Sequence, residues 1–144
     1  MTLKIEYSRK ASQTPAFALL AEGWNEIVQS GFTPDLVGVC PVTADTEVLY
    51  AISTEGDLVG VLAWDGSTPD GKYRVTMAYV EPSSRRKGVF HALLTTLKQK
   101  ARQDSPVNGV GTIISIIGEQ NTIAKLAFAR EQGQPVCSIY EHLV

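Results

Sequence analysis

At the start of the chain Leu3, Ile5 and Tyr7 alternate with polar residues, the period of a strand with one buried face. Thr14-Pro15 then reads as a helix N-cap followed by proline at the first helical position. Beyond it Phe17, Leu20, Ala21, Trp24, Ile27 and Val28 share one helical stripe, which Ser30-Gly31 ends. Pro34, Gly38 and Pro41 make residues 32–45 a loop. Two β-rich runs, 47–53 and 58–64, flank the hairpin signal Thr54-Glu55-Gly56-Asp57. After a polar loop, Tyr73, Val75, Met77 and Tyr79 alternate with Arg74, Thr76, Ala78 and Val80, so an antiparallel meander is expected across the centre. The period then changes. Phe90, Leu93, Leu94, Leu97 and Ala101 form one apolar face over 88–103, and Pro106 ends that helix. The β-branched run 111–117 suits a central strand covered on both faces. Asn121 caps a further helix reaching about Gln132, and residues 136–142 read as a closing strand.

The order strand, helix, three strands, helix, strand, helix, strand predicts an α/β (α+β) fold. Its centre is a mixed, mostly antiparallel sheet flanked by helices, one domain over residues 1–144. Hydrophobic residues at 44% and charged residues at 19% of 144 suffice for a buried core. A net charge of -2 argues against nucleic-acid binding by bulk electrostatics. No apolar run nears the ~20 residues of a membrane span, and the N-terminus lacks a signal-peptide core, so the expected location is cytoplasmic. Cys40 and Cys137 fit no disulfide framework, zinc site or redox motif, and no metal is expected.

One stretch does carry chemistry: Val80-Glu81-Pro82-Ser83-Ser84-Arg85-Arg86-Lys87-Gly88-Val89-Phe90, between a strand and an amphipathic helix. Such a junction exposes backbone N–H groups to an anion. Gly88 has no Cβ to keep a ligand away, and Pro82 directs the chain out of the strand. Arg85, Arg86, Lys87, Lys98, Lys100 and Arg102 are six of the thirteen Lys and Arg residues, and no Asp or Glu lies between 85 and 102. The stretch lacks the Gly-Lys-[Ser/Thr] ending of a P-loop and the Gly-x-Gly-x-x-Gly of a dinucleotide fold.

In this pattern the chain resembles the GNAT superfamily of acyl-CoA N-acyltransferases. The [Gln/Arg]-x-x-Gly-x-[Gly/Ala] loop of that family is met by Arg85 and Gly88, with Phe90 where a small residue is usual. The resemblance implies acetyl-CoA, or another acyl-CoA, as cosubstrate. Pantetheine would pair with the strand at Ala78 and Val80. The pyrophosphate would lie on the loop at Arg85, Arg86, Lys87, Gly88, Val89, Phe90 and His91, chiefly on its amides. A second family pattern, Asn-x-x-Ala-x-x-Leu-Tyr, is met by Asn121 and Ala124, with Phe128 at the position of the Tyr that often reprotonates the CoA thiolate. Phe128 donates no proton, and its place is against cofactor or core. Phe90 fits the apolar stripe and is expected to turn into the core.

Transfer from a thioester to an amine needs a neutral amine, an oxyanion donor and a proton for the thiolate. Glu119 is the first candidate base, and Tyr79, Tyr140 and His142 are candidate proton donors or relays. Glu81 reads as a turn residue. The expected activity is direct acetyl transfer to a primary amine of a small molecule or a protein. The alternative is a weak or inactive GNAT-like protein that acts by binding a partner protein. Expected partners are the CoA thioester and the amine acceptor, with a homodimer or protein partner left open, and neither nucleic acid nor membrane.

Overall fold

A computed structural model describes residues 2–29, 43, 46–65, 72–104, 112–115 and 122–136. Strands β1 (Leu3–Ser8), β2 (Thr46–Ser53), β3 (Leu58–Asp65), β4 (Lys72–Val80) and β5 (Thr112–Ser115) form one sheet in the order β1-β2-β3-β4-β5. Helix α1 (Phe17–Gln29) follows β1, α2 (Val89–Asp104) follows β4, and α3 (Thr122–Arg130) follows β5. The first four strands are antiparallel neighbours. β5 lies parallel to β4, pairing Lys72 with Thr112 through Val75 with Ser115. This is the mixed, mostly antiparallel sheet expected from the sequence. The closing strand expected over 136–142 falls almost wholly outside the described residues.

Two apolar clusters sandwich the sheet. Leu49, Leu62, Trp64, Tyr73 and Val75 pack under Val89, Leu93, Leu94, Leu97 and Ala101 of α2. On the opposite face Val48, Val61, Ala63 and Met77 meet Ala16, Leu19 and Leu20 of the α1 region. The apolar face of α2 is the one its sequence period predicts. That of α1 is rotated from the expected stripe: Phe17 and Val28 are exposed, while Leu19, Leu20 and Gly23 are buried. The reason is Gly23, where an added Cβ would stand 2.8 Å from Tyr79 Cβ and 3.0 Å from Met77 Sδ. Contact with β4 is centred on a residue that a hydrophobicity pattern counts as nothing.

The simple alternation expected for β4 is also corrected. Ala63 pairs with Met77 and Trp64 with Val75, so Thr76 is an inserted residue. Its hydroxyl donates to the Ala63 carbonyl at 3.4 Å. Across this bulge the faces exchange. Tyr73 and Val75 join the α2 cluster, whereas Met77 and Tyr79 join the α1 cluster, and Ala78 and Val80 return to the α2 side. The run expected to be a doubly covered central strand is, among the described residues, an edge strand, with Ile113, Ile114 and Ser115 half-buried.

Candidate functional site

The last residues of β4, the turn 81–88 and the first turn of α2 make one continuous site. The Glu81 amide donates to the Val59 carbonyl at 3.0 Å, and Pro82–Ser84 forms a short 3-10 turn. Glu81 also accepts the Ser83 hydroxyl, which makes it the turn residue that the sequence suggested. Arg86 then takes φ 63° and Gly88 φ 85°. For glycine that conformation is free of steric cost. A Cβ built on Gly88 would meet nothing within 4 Å among the described residues, so its missing side chain leaves clear space there in front of the turn. The first amide bond of α2 runs from Ala92 N–H to the Gly88 carbonyl at 3.0 Å. The amides from Arg86 to His91 carry no hydrogen bond among the described residues, the last four being those a helix start leaves unpaired. A row of amides before an open, glycine-lined space suits a diphosphate.

Depth is set by a glycine that sequence reasoning missed. A Cβ on Gly60 of β3 would lie 2.6 Å from Val89 Cγ1 and 3.3 Å from Leu93 Cδ1. Its absence lets the start of α2 rest directly on the sheet. Val89 is consequently a buried anchor (1% exposed), and its share in a phosphate site is confined to its backbone.

The basic residues divide. Arg85 Nε donates to the Val80 carbonyl at 2.8 Å, and its Nη2 donates to Glu26 Oε1 and Oε2 at 3.1 and 2.8 Å. The same guanidinium lies 5.5 Å from the centre of the Tyr79 ring. Arg85 is thus committed within the protein, and it occupies a carbonyl that the resemblance offered to pantetheine. Lys98 Nζ donates to the Glu131 carbonyl at 3.4 Å, and Lys100 Nζ sits 4.4 Å over the Tyr7 ring. Arg86 and Lys87 are exposed beside the turn with no ion pair among the described residues.

Phe90 turns onto the core as expected and meets Phe128 edge-on, ring centres 5.1 Å apart. Phe128 thereby couples α3 to the start of α2. His91 Nδ1 approaches Glu131 Oε1 and Oε2 at 2.9 and 3.0 Å, a further tie between α2 and the residue after α3 that the sequence did not suggest. Helix α3 ends in a Schellman turn: Gly133 N–H donates to the Phe128 carbonyl at 2.8 Å and Gln132 N–H to the Ala129 carbonyl at 3.0 Å. Gln132, not the glycine, takes the left-handed position, φ 67°. A Cβ on Gly133 would stand 2.8 Å from the Phe128 carbonyl oxygen, so this position takes a glycine.

Of the candidate catalytic groups, Tyr79 lies half-buried on the α1 face of β4. Burial, then Glu26 and Glu22, push its phenol above the ordinary value of 10. At neutral pH it is a proton-bearing group. Glu119, Tyr140, His142 and Asn121 lie outside the described residues. Trp64 is core, stacked at 6.1 Å on Tyr7 and edge-on at 6.4 Å to Tyr73. Among the described residues no group of three His, Cys, Asp or Glu side chains gathers as a metal site. No helix among them is long and apolar enough to cross a membrane.

Known proteins share this architecture. An aminoglycoside acetyltransferase, HMB0005, from an uncultured soil metagenomic sample is 17% identical, with TM-score 0.67 over 100% of this chain and 99% of its own. The ribosomal-protein-alanine N-acetyltransferase of Brucella melitensis biovar Abortus 2308 is 17% identical, with TM-score 0.66 over 99% and 100%. The aminoglycoside N-acetyltransferase AAC(6')-Iy in complex with CoA is 12% identical, with TM-score 0.69 over 99% and 95%. At these identities the likeness is one of fold. No curated protein matches the chain in sequence. The acetyltransferase (GNAT) family, however, matches residues 14–133, a span holding α1, α2, α3 and the whole amide-lined turn. The chain therefore belongs to the acetyltransferase (GNAT) family, enzymes that carry an acetyl group from acetyl-CoA to an amine.

Proposed function

We propose that the chain transfers acetyl directly from acetyl-CoA to a primary amine of a small molecule or a protein, without an acyl-enzyme stage. The observation that carries this is the turn before α2, where the amides from Arg86 to His91 are unbonded among the described residues and Gly88 opens onto clear space. The likeness to acetyltransferases of small amines and of a ribosomal protein supports both acceptor classes. The reading takes residues 1–144 as one catalytic domain working in the cytoplasm.

Bound acetyl-CoA supplies the thioester carbonyl and a thiolate leaving group. The chain contributes position first. The amides of Arg86, Gly88, Phe90 and His91 hold the diphosphate, with Arg86 and Lys87 adding charge, at about 1.5–3 kcal/mol per charge-assisted bond. Fixing one end of the cosubstrate presents its thioester near the end of β4, and such positioning replaces much of the catalysis a strong base would give. Tyr79 is the proton donor for the departing sulfur: it stands near the end of β4 beside the turn, and its phenol carries its proton at neutral pH, as any tyrosine does. Phe128 leaves that role open. Glu119 is the proposed base that takes the proton of the attacking amine.

Thiol release measured against a panel of amines and peptides tests the reaction. Turnover with at least one acceptor is expected, and Tyr79→Phe should lower kcat about a hundredfold. Gly88→Trp should abolish CoA binding in a folded protein, because the indole would fill the space before the amides. Normal CoA affinity in that variant, or no heat from CoA with wild-type protein, sinks the reading. Binding without turnover over the whole panel would refute catalysis and leave a CoA-binding protein.

A further inference from the structure

Three consecutive cations open the amide-lined turn, yet among the described residues only the first is held by a carboxylate. Arg85 spends its planar fork on two elements at once: Nε on the Val80 carbonyl of β4 at 2.8 Å, and Nη2 on both oxygens of Glu26 from α1 at 3.1 and 2.8 Å. Its face also covers Tyr79. We propose that Glu26 is a positioning residue for the cofactor turn: through Arg85 it clamps the end of β4 and the first residue of the turn against α1. The inference depends on the reading of this turn as the CoA diphosphate site.

Two features make such a clamp necessary and feasible. The residue after Arg85 is Arg86, at φ 63°. A non-glycine residue in that region is strained by about 1–2 kcal/mol and persists only where its surroundings over-determine it. The fork fixes the preceding residue from two directions, which is the kind of constraint required. Reach is provided by Gly23, whose missing Cβ lets α1 lie against Tyr79 and so brings Glu26, three residues further on, to the guanidinium. Lysine would not substitute, having no planar fork to span a carbonyl and a carboxylate.

The opposite assignment makes the opposite prediction. If Arg85 were a phosphate ligand, Glu26 would compete for it, and removing the carboxylate would tighten CoA. As a clamp, its removal loosens CoA. Calorimetry with CoA alone therefore decides by sign. Glu26→Ala should weaken Kd about fivefold, the upper range for a partly exposed ion pair. Glu26→Gln keeps an oxygen acceptor and should recover part of that loss. The double variant Glu26→Ala with Arg85→Ala should bind no more weakly than Arg85→Ala, since the carboxylate acts only through the guanidinium. Because Glu26 is exposed, the melting temperature should hardly change, which separates positioning from general support of the fold. CoA binding as tight as wild type or tighter in Glu26→Ala, or losses that add in the double variant, would overturn the clamp. A wild-type protein that ignores CoA would instead remove the diphosphate site itself, and the clamp with it.

Discussion

Replacing Gly60 by alanine puts a methyl group 2.6 Å from Val89 Cγ1 and 3.3 Å from Leu93 Cδ1. Carbon atoms in contact sit about 3.5–4.0 Å apart, so something must move by roughly 1 Å. Val89 is 1% exposed and Leu93 0%, and a β-branched side chain in a helix has one strongly preferred rotamer. The start of α2 is thus forced off the sheet. Overpacking of this kind costs about 1–3 kcal/mol, read by urea unfolding. A shift of about 1 Å in the amides of Gly88 and Phe90 would also lose one charge-assisted bond to the diphosphate. That loss corresponds to a Kd for CoA about ten- to a hundredfold weaker by calorimetry. A second substitution checks the cause. Val89→Ala alone should cost about 2 kcal/mol, but it removes the clashing Cγ1. The pair should therefore be less destabilised than the sum of the two by at least about 1 kcal/mol. Wild-type stability and CoA affinity in Gly60→Ala, or strict additivity with Val89→Ala, would refute this account of how the site is set.

Further outcomes follow from the same contacts. The Tyr79 phenol titrates above its ordinary value of 10, so the folded protein holds that proton more tightly than the unfolded chain. The stability it adds is whole below that ordinary value and is lost as pH rises through the raised one. Tyr79→Phe should hence lose less stability than wild type on going to alkaline pH, by unfolding measured at a series of pH values. Gly23→Ala would place its Cβ 2.8 Å from Tyr79 Cβ. It should lower stability by roughly 1–3 kcal/mol, and thermal melting at the wild-type temperature would count against the rotated α1 face. Gln132→Gly removes a left-handed non-glycine residue from the end of α3. It should raise stability by about 0.5–1 kcal/mol, and no gain would argue against the Schellman turn there.

How far the site was legible depended on which atoms do the work. Backbone chemistry left clear traces, because a strand-to-helix junction with Pro82, Gly88 and clustered cations is a local pattern. Side-chain assignments fared differently. Arg85, a cofactor contact by its place in the motif, is held by Glu26, and His91 is held by Glu131. These partners are 59 and 40 residues away along the chain, and no local pattern links them. Phe90 fared well for the opposite reason: its place on the α2 stripe already implied the core.

The sequence by itself determined the order of the described elements, the buried face of α2, the position of the amide-lined turn and the family. Each depends on residues near one another in the chain, where period and turn chemistry act directly. Only the tertiary structure decided which face of α1 is buried, where β4 exchanges its faces, and that Arg85 is tied to Glu26. Those follow from close approach between distant segments, at Gly23 on Tyr79 and Gly60 on Val89, and from a bulge at Thr76 that shifts register against β3. A glycine's contribution there is the side chain it lacks. Its value is visible only once the opposing segment is in place.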